Sequence, residues 1–96
     1  MSRESSEDGL RAFIELCRSF KEKEELEELF DLFFTLDEKE VLGNRYHILK
    51  ALLDEKLTQR EIADTLNVSI SKITRGSNAL KIISHHLREA LKKKMA

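Results

Sequence analysis

The residues with the clearest chemical potential are an arginine and a glycine that adjoin inside a predicted helix, Arg75 and Gly76. A guanidinium group stacks on aromatic rings and binds a carboxylate through two parallel hydrogen bonds. Glycine is unfavourable inside a helix, so its presence needs a physical reason. It indicates either a close crossing of two helices or a pocket, where a small flat ligand would change the tilt or order of the helices.

The elements that must position these residues form a predicted helix-turn-helix over about residues 58–83. Thr58 and Glu61 have capping-box spacing at its start, and Asn67 suits the left-handed conformation of a tight turn. The second helix of such a unit enters the major groove of DNA. The side chains expected to pack its two helices together are Ile62, Ala63, Leu66, Val68 and Ile73.

Charge divides the chain into two unlike halves. Residues 1–40 hold 6 Lys and Arg against 13 Asp and Glu, a formal charge of −7, whereas residues 41–96 hold 11 against 5, a charge of +6. No acidic residue occurs between Thr65 and Arg88. The surface of this stretch either attracts a polyanion or is an ordinary solvated basic face.

Helical periodicity also marks the rest of the chain, and with no proline and three glycines the sequence predicts an all-α fold. A first helix is expected from Leu10 to about Lys23. The longest one should start at a capping box, Thr35 with Glu38 or Asp37 with Glu40, and Ser69 is placed to cap the second helix of the helix-turn-helix. A last amphipathic helix is expected from about His85 to Lys94.

The composition predicts a single all-helical domain over residues 10–96 after a disordered N-terminal arm, residues 1–9. With 41% hydrophobic and 36% charged residues, no long window is apolar enough to span a membrane. The single cysteine, Cys17, excludes an intrachain disulfide and fits a small buried hydrophobe, and no apolar segment follows Met1. We therefore expect a cytoplasmic protein.

Residues 29–34 carry apolar groups on every side of a predicted helix, so this helix must be buried all round. A monomer of 96 residues would bury only about 60 to 65% of the surface that its unfolded chain exposes. A second copy of the chain is the simplest cover. The segment is therefore interpreted as part of a homodimer interface.

Three segments carry a family resemblance: Leu42–Arg45, Leu57–Glu61 and Ile73–Lys81. Together they resemble the tryptophan-operon repressor family, and the likeness runs without gaps from about Leu10 to Leu91. Its most specific part is Thr74–Asn78, because ligand-independent relatives in the same superfamily diverge after Arg75. The resemblance implies six short helices per chain in an intertwined homodimer, which binds operator DNA of tryptophan biosynthesis or uptake genes when L-tryptophan, the corepressor, is bound.

The resemblance also implies the ligand site. The indole would lie between Arg45 and Arg75, and the carboxylate would meet Arg75 and Thr35. The ligand's amino group would meet backbone carbonyls, and the remaining contacts would come from residues that line the pocket. The full set implied for L-tryptophan is Arg45, Arg75, Thr35, Gly76, Leu32, Phe34 and Ala79.

DNA contacts are implied at the start of the first helix of the helix-turn-helix and along the second. Ile70 is placed to meet a thymine methyl or, equally, to pack in the core, and Arg60 could reach a guanine edge or a phosphate. Asn44 would contact phosphate from the preceding helix. The full set is Asn44, Gln59, Arg60, Ser69, Ile70, Ser71, Lys72 and Thr74.

Several residues depart from the family pattern. Ala79 stands where the family commonly has a serine that touches the ligand, which removes one polar contact. Ala63 replaces a lysine and Lys72 replaces a smaller residue, so positive charge moves from one helix to the other. Leu36 replaces a proline. Ligand discrimination and operator preference are therefore expected to differ from those of relatives.

Two other hypotheses stay open. One keeps the DNA-binding helix-turn-helix without a ligand, and the other is a helical protein-interaction module whose basic half docks an acidic partner. Catalysis has no support, because the sequence has no phosphate loop, nucleophile elbow or paired carboxylates at catalytic spacing. No metal site is expected, since the adjacent His85 and His86 diverge on a helix and His47 lacks partners at ligand spacing.

Overall fold

The computed structural model describes residues 5–96, and all of the secondary structure in that range is helical. The predicted all-α fold with six helices is confirmed. The helices are α1 (Ser6–Ser19), α2 (Lys23–Phe33), α3 (Leu36–Asp54), α4 (Gln59–Leu66), α5 (Ile70–Ile82) and α6 (His85–Lys94). They fall into two compact units, the first ending at Glu38 and the second spanning Lys39–Ala96.

The start of α1 corrects the predicted disordered arm. The helix begins at Ser6 rather than near Leu10, so residues 6–9 are helical, and residues 1–4 lie outside the described range. The Ser5 hydroxyl accepts a hydrogen bond from the Asp8 amide, and the Asp8 carboxylate accepts one from the Ser5 amide. This capping box satisfies amides that the first turn leaves without partners.

The first unit is organised by aromatic side chains. The Phe13 ring lies 5.9, 4.8 and 5.7 Å from the ring centroids of Phe30, Phe33 and Phe34. No residue of α1 or α2 is buried, and Leu32 and Phe33 remain 79% and 52% exposed. The apolar side chains of this unit therefore lack the cover that a core would give them.

The second unit contains the buried core. Ile62 and Ile73 are fully buried, and Ile48 and Ala63 complete the cluster that joins α3, α4 and α5. The side chains that pack against it are Ala51, Leu52, Leu66 and Val68. The predicted packing of the helix-turn-helix therefore agrees with the structure.

The turn between α4 and α5 follows the predicted chemistry. Asn67 has φ 55° and ψ 49°, the left-handed conformation, and the amide of Val68 donates to the carbonyl of Ala63 at 3.0 Å. At the start of α4 the Thr58 hydroxyl accepts from the Glu61 amide at 3.2 Å. Ser69 occupies the N-cap position of α5, but its side chain makes no capping bond and instead lies 3.1 Å from the Ser71 hydroxyl.

The capping boxes give stability a dependence on pH. Hydrogen bonds from the backbone amide and side chain of Thr58 lower the pKa of Glu61 below its ordinary value of 4.5, and Thr35 acts in the same way on Glu38. The stabilisation is thus present above pH 4.5 and is lost as the pH falls through the lowered pKa of the folded state.

We expect Glu61→Gln to lose less stability than the unchanged chain when the pH is lowered from 4.5 to 3, as measured by urea unfolding. The control is Glu40→Gln, which alters charge outside a capping box and should keep the original slope.

Candidate functional site

A cavity of about 410 Å³ lies in the second unit, between one face of α3 and one face of α5. The α3 residues recur at helical spacing, as do those of α5, so each set forms a single stripe. From α3 come Val41, Asn44, Arg45, Ile48 and Leu49, and from α5 come Lys72, Arg75, Gly76 and Ala79. The structure thus brings together six of the residues that the sequence assigned to ligand or DNA.

Gly76 both lines the cavity and allows close packing against α3. A Cβ atom at this position would lie 3.1 Å from Cγ2 of Ile48 and 3.3 Å from Cδ1 of Leu52. Both distances are tighter than ordinary van der Waals contact, so a side chain here would require Ile48 and Leu52 to shift by a few tenths of an ångström. The two explanations offered for this glycine, a helix crossing and a pocket, are therefore both consistent with the structure.

The rim of the cavity is cationic and its floor is apolar. Ile48 is buried, whereas Arg45, Lys72 and Arg75 are exposed. Within residues 5–96 the charged side-chain groups of these three residues form no salt bridge and no hydrogen bond. The ion-pair interpretation of Arg45 and Arg75 therefore finds no partner in the described chain, and both guanidinium groups remain available to a carboxylate or an aromatic ring.

Three residues of the predicted ligand site lie in the first unit. Leu32 and Phe34 are at the end of α2, and Phe34 packs against Phe13. The Thr35 hydroxyl accepts a hydrogen bond from the Glu38 amide at 3.1 Å and so caps α3. A ligand role for these residues stays a prediction.

The residues predicted to contact DNA are exposed on α4 and α5. Gln59 and Arg60 open α4, and Ser69, Ser71 and Thr74 lie on or beside the first turns of α5. The Thr74 hydroxyl bonds to Oε1 of Gln59 at 3.3 Å and to the Ile70 carbonyl at 3.1 Å. Because that leaves the Gln59 amide nitrogen as a free donor, this side chain suits a phosphate oxygen.

Ile70 has two interpretations, a contact with a thymine methyl and packing in the core, and its exposure bears on the second. Its side chain is 50% exposed, whereas Ile73, one helical turn further along α5, is fully buried. Ile73 therefore packs in the core, whereas a DNA contact by Ile70 stays a prediction.

The sequence analysis did not assign the apolar residues that line the cavity on α3. These are Val41, Ile48 and Leu49. The signal that could have found them is the spacing of 41, 44, 45 and 48, which repeats on α3 the pattern of 72, 75, 76 and 79 on α5. Two such stripes are expected to face each other where helices pack.

The second unit therefore defines a class: a helix-turn-helix whose second helix forms one wall of a cavity. The chain agrees over residues 8–95 with the model of the family described as Trp repressor protein. It belongs to this family of transcriptional repressors, which are not enzymes.

Relatives share about half of the residues. A Trp operon repressor homolog of Chlamydia caviae is 50% identical over 92 residues, covering 96% of this chain and 91% of the relative. One from Chlamydia trachomatis serovar D is 46% identical over 89 residues, covering 93% and 95%. One from Mannheimia succiniciproducens is 45% identical over 82 residues, covering 84% and 80%.

Residues 5–96 contain neither a helix that could cross a membrane nor a cluster of metal-ligating side chains. None of their helices combines the length and apolar character that crossing a bilayer requires. The described residues also contain no group of three or more His, Cys, Asp or Glu side chains that could hold a metal ion.

Proposed function

We propose that this protein is an L-tryptophan-dependent transcriptional repressor that binds, as a homodimer, the operator DNA of genes for tryptophan biosynthesis or uptake. The observation that carries the proposal is the cavity itself, which has an apolar floor, unpaired arginines on its rim and α5 as one wall. An amino acid with a flat ring matches that surface, because the ring fills the apolar space and the carboxylate meets a guanidinium group.

The proposed coupling between ligand binding and DNA binding follows from α5, which takes part in both. Arg75 and Gly76 face the cavity from α5, the helix that also carries Ser71 and Thr74 toward DNA. A ligand in the cavity can therefore favour one placement of this helix over another. Coupling requires that tryptophan binds the DNA-competent arrangement more tightly, since equal affinity for both arrangements shifts nothing.

The proposed homodimer rests on the uncovered apolar side chains of the first unit. Leu10, Ile14, Leu32 and Phe33 are each at least half exposed. A second copy that covers them would add the apolar burial that so short a chain lacks. The ligand contacts predicted for Leu32, Phe34 and Thr35 belong to this proposal as well.

The test is binding of a tryptophan-operator duplex with and without L-tryptophan at one salt concentration, measured by fluorescence anisotropy. We expect the ligand to tighten binding by about tenfold or more, within the usual range of allosteric coupling. A duplex with a scrambled sequence is the control and should show little response. Equal affinity with and without tryptophan would contradict the proposal.

One observation favours a second candidate, a repressor of the same family that binds DNA without a ligand. Ala79 lines the cavity and offers no hydroxyl where the family commonly supplies one. Calorimetry with tryptophan separates the two candidates, because only the first predicts heat of binding at a single site per chain.

A further inference from the structure

Lys72 lies on the wall of the cavity, although the sequence assigned it to the DNA-contacting surface alone. On α5 it stands three, four and seven residues before Arg75, Gly76 and Ala79, so the four positions share one helical face. Lys72 is therefore the first member of the α5 stripe that bounds the cavity.

The charge around the cavity is unbalanced. Arg45, Lys72 and Arg75 line it, and among the described residues no Asp or Glu does. None of the three cations has a salt-bridge partner within the described residues. Three like charges around one small space repel each other, and an anionic group placed among them relieves that repulsion.

The polar groups of the α5 stripe are also concentrated at one end. Lys72 and Arg75 lie toward the start of the helix, while Gly76 and Ala79 further along offer no side-chain donor. This arrangement would orient a ligand that carries both a carboxylate and an apolar ring. The carboxylate would lie near Lys72, and the ring would lie over Ile48 and Gly76.

We propose that Lys72 is a specificity-determining residue of the ligand cavity, where its ammonium group and the Arg75 guanidinium together hold the carboxylate of the ligand. The inference rests on the proposed function, since it takes an amino acid as the occupant. Arginine supplies a planar fork and lysine a compact point charge, so the two cations bind different edges of one carboxylate. The affinity of the site for its ligand should therefore depend on the carboxylate more strongly than it would with Arg75 alone.

The experiment is isothermal titration calorimetry of the full chain with L-tryptophan and with L-tryptophanamide, which lacks the carboxylate. The variants are Lys72→Gln, Lys72→Arg and Lys81→Gln, the last being a matched control because Lys81 lies on the same helix without lining the cavity. Lys72 is exposed, so its variants should fold, and circular dichroism melting verifies this.

We expect Lys72→Gln to weaken tryptophan binding about tenfold, the lower range for loss of a hydrogen bond to a charged group. Lys72→Arg should stay within a few-fold of the unchanged protein, and Lys81→Gln should have no effect. Tryptophanamide should bind the unchanged protein and Lys72→Gln equally well. This pattern would support the inference.

Two results would overturn it. If Lys72→Gln binds tryptophan normally and instead lowers the salt dependence of operator binding by about 0.9 in the log–log slope, Lys72 serves one phosphate and not the ligand. The proposed function would then survive. If the unchanged chain binds no tryptophan, the proposed function is wrong, and the inference falls with it.

Discussion

Replacing Arg75 with alanine is expected to abolish the response of DNA binding to tryptophan. The side chain lines the cavity, is exposed and has no ion-pair partner within the described chain, so its removal should leave the fold unchanged. It would remove the carboxylate contact and one stacking surface together, a loss of about 2 kcal/mol or more in ligand binding. Tryptophan affinity by calorimetry should fall about thirtyfold.

The matched control is Lys81→Ala, which removes an exposed cation from α5 outside the cavity. It should weaken operator binding slightly and leave the ratio of affinities with and without tryptophan intact. Analytical ultracentrifugation of both variants should show the assembly state of the unchanged protein. If tryptophan still tightens operator binding by Arg75→Ala, the ligand binds elsewhere.

Replacing Ile73 with alanine should produce a large loss of stability in the second unit. Ile73 is fully buried among Ile48, Ile62 and Ala63, and truncating such a residue costs about 2 to 5 kcal/mol through lost burial and the cavity left behind. Urea unfolding followed by circular dichroism should show a lower midpoint. DNA binding would be lost as a consequence of unfolding.

Ile70→Ala provides the matched comparison, because it removes the same atoms one turn earlier on the same helix from a side chain that is half exposed. Its unfolding midpoint should move little, while operator affinity falls if Ile70 meets a thymine methyl. Equal destabilisation by the two substitutions would mean that Ile70 is covered in solution, contrary to its exposure here.

The sequence predicted the second unit well because its local signals and its packing agree. Thr58 with Glu61 marks the start of α4, Asn67 marks its end, and the apolar spacing on either side supplies the core. When capping, turn geometry and burial all favour one arrangement, local reasoning is sufficient. The buried roles of Ile62 and Ile73 follow from that agreement.

The start of α1 and the surroundings of Lys72 were predicted less well. In the first case the capping box has an unusual sequence, and in the second the contact is between residues distant in the chain. The start of α1 was misplaced because Ser5 and Asp8 look like ordinary polar residues, although they form a capping box with Asp in the place of the usual Glu or Gln. Lys72 was assigned to a single surface, because spacing on α5 alone does not reveal which helix faces it. Only the position of α3 shows that the lysine also lines a cavity.

The absence of any buried residue in α1 and α2 has a consequence for the amount of protein that a cell must hold. Such a segment gains further apolar burial only when another surface covers it, and cover by a second copy of the chain obeys mass action. In the proposed homodimer, dilution would therefore loosen these two helices as well as separate the two chains. Operator binding by such a dimer would rise more steeply than in proportion to the protein's abundance, so a low protein concentration would abolish repression even where tryptophan is plentiful.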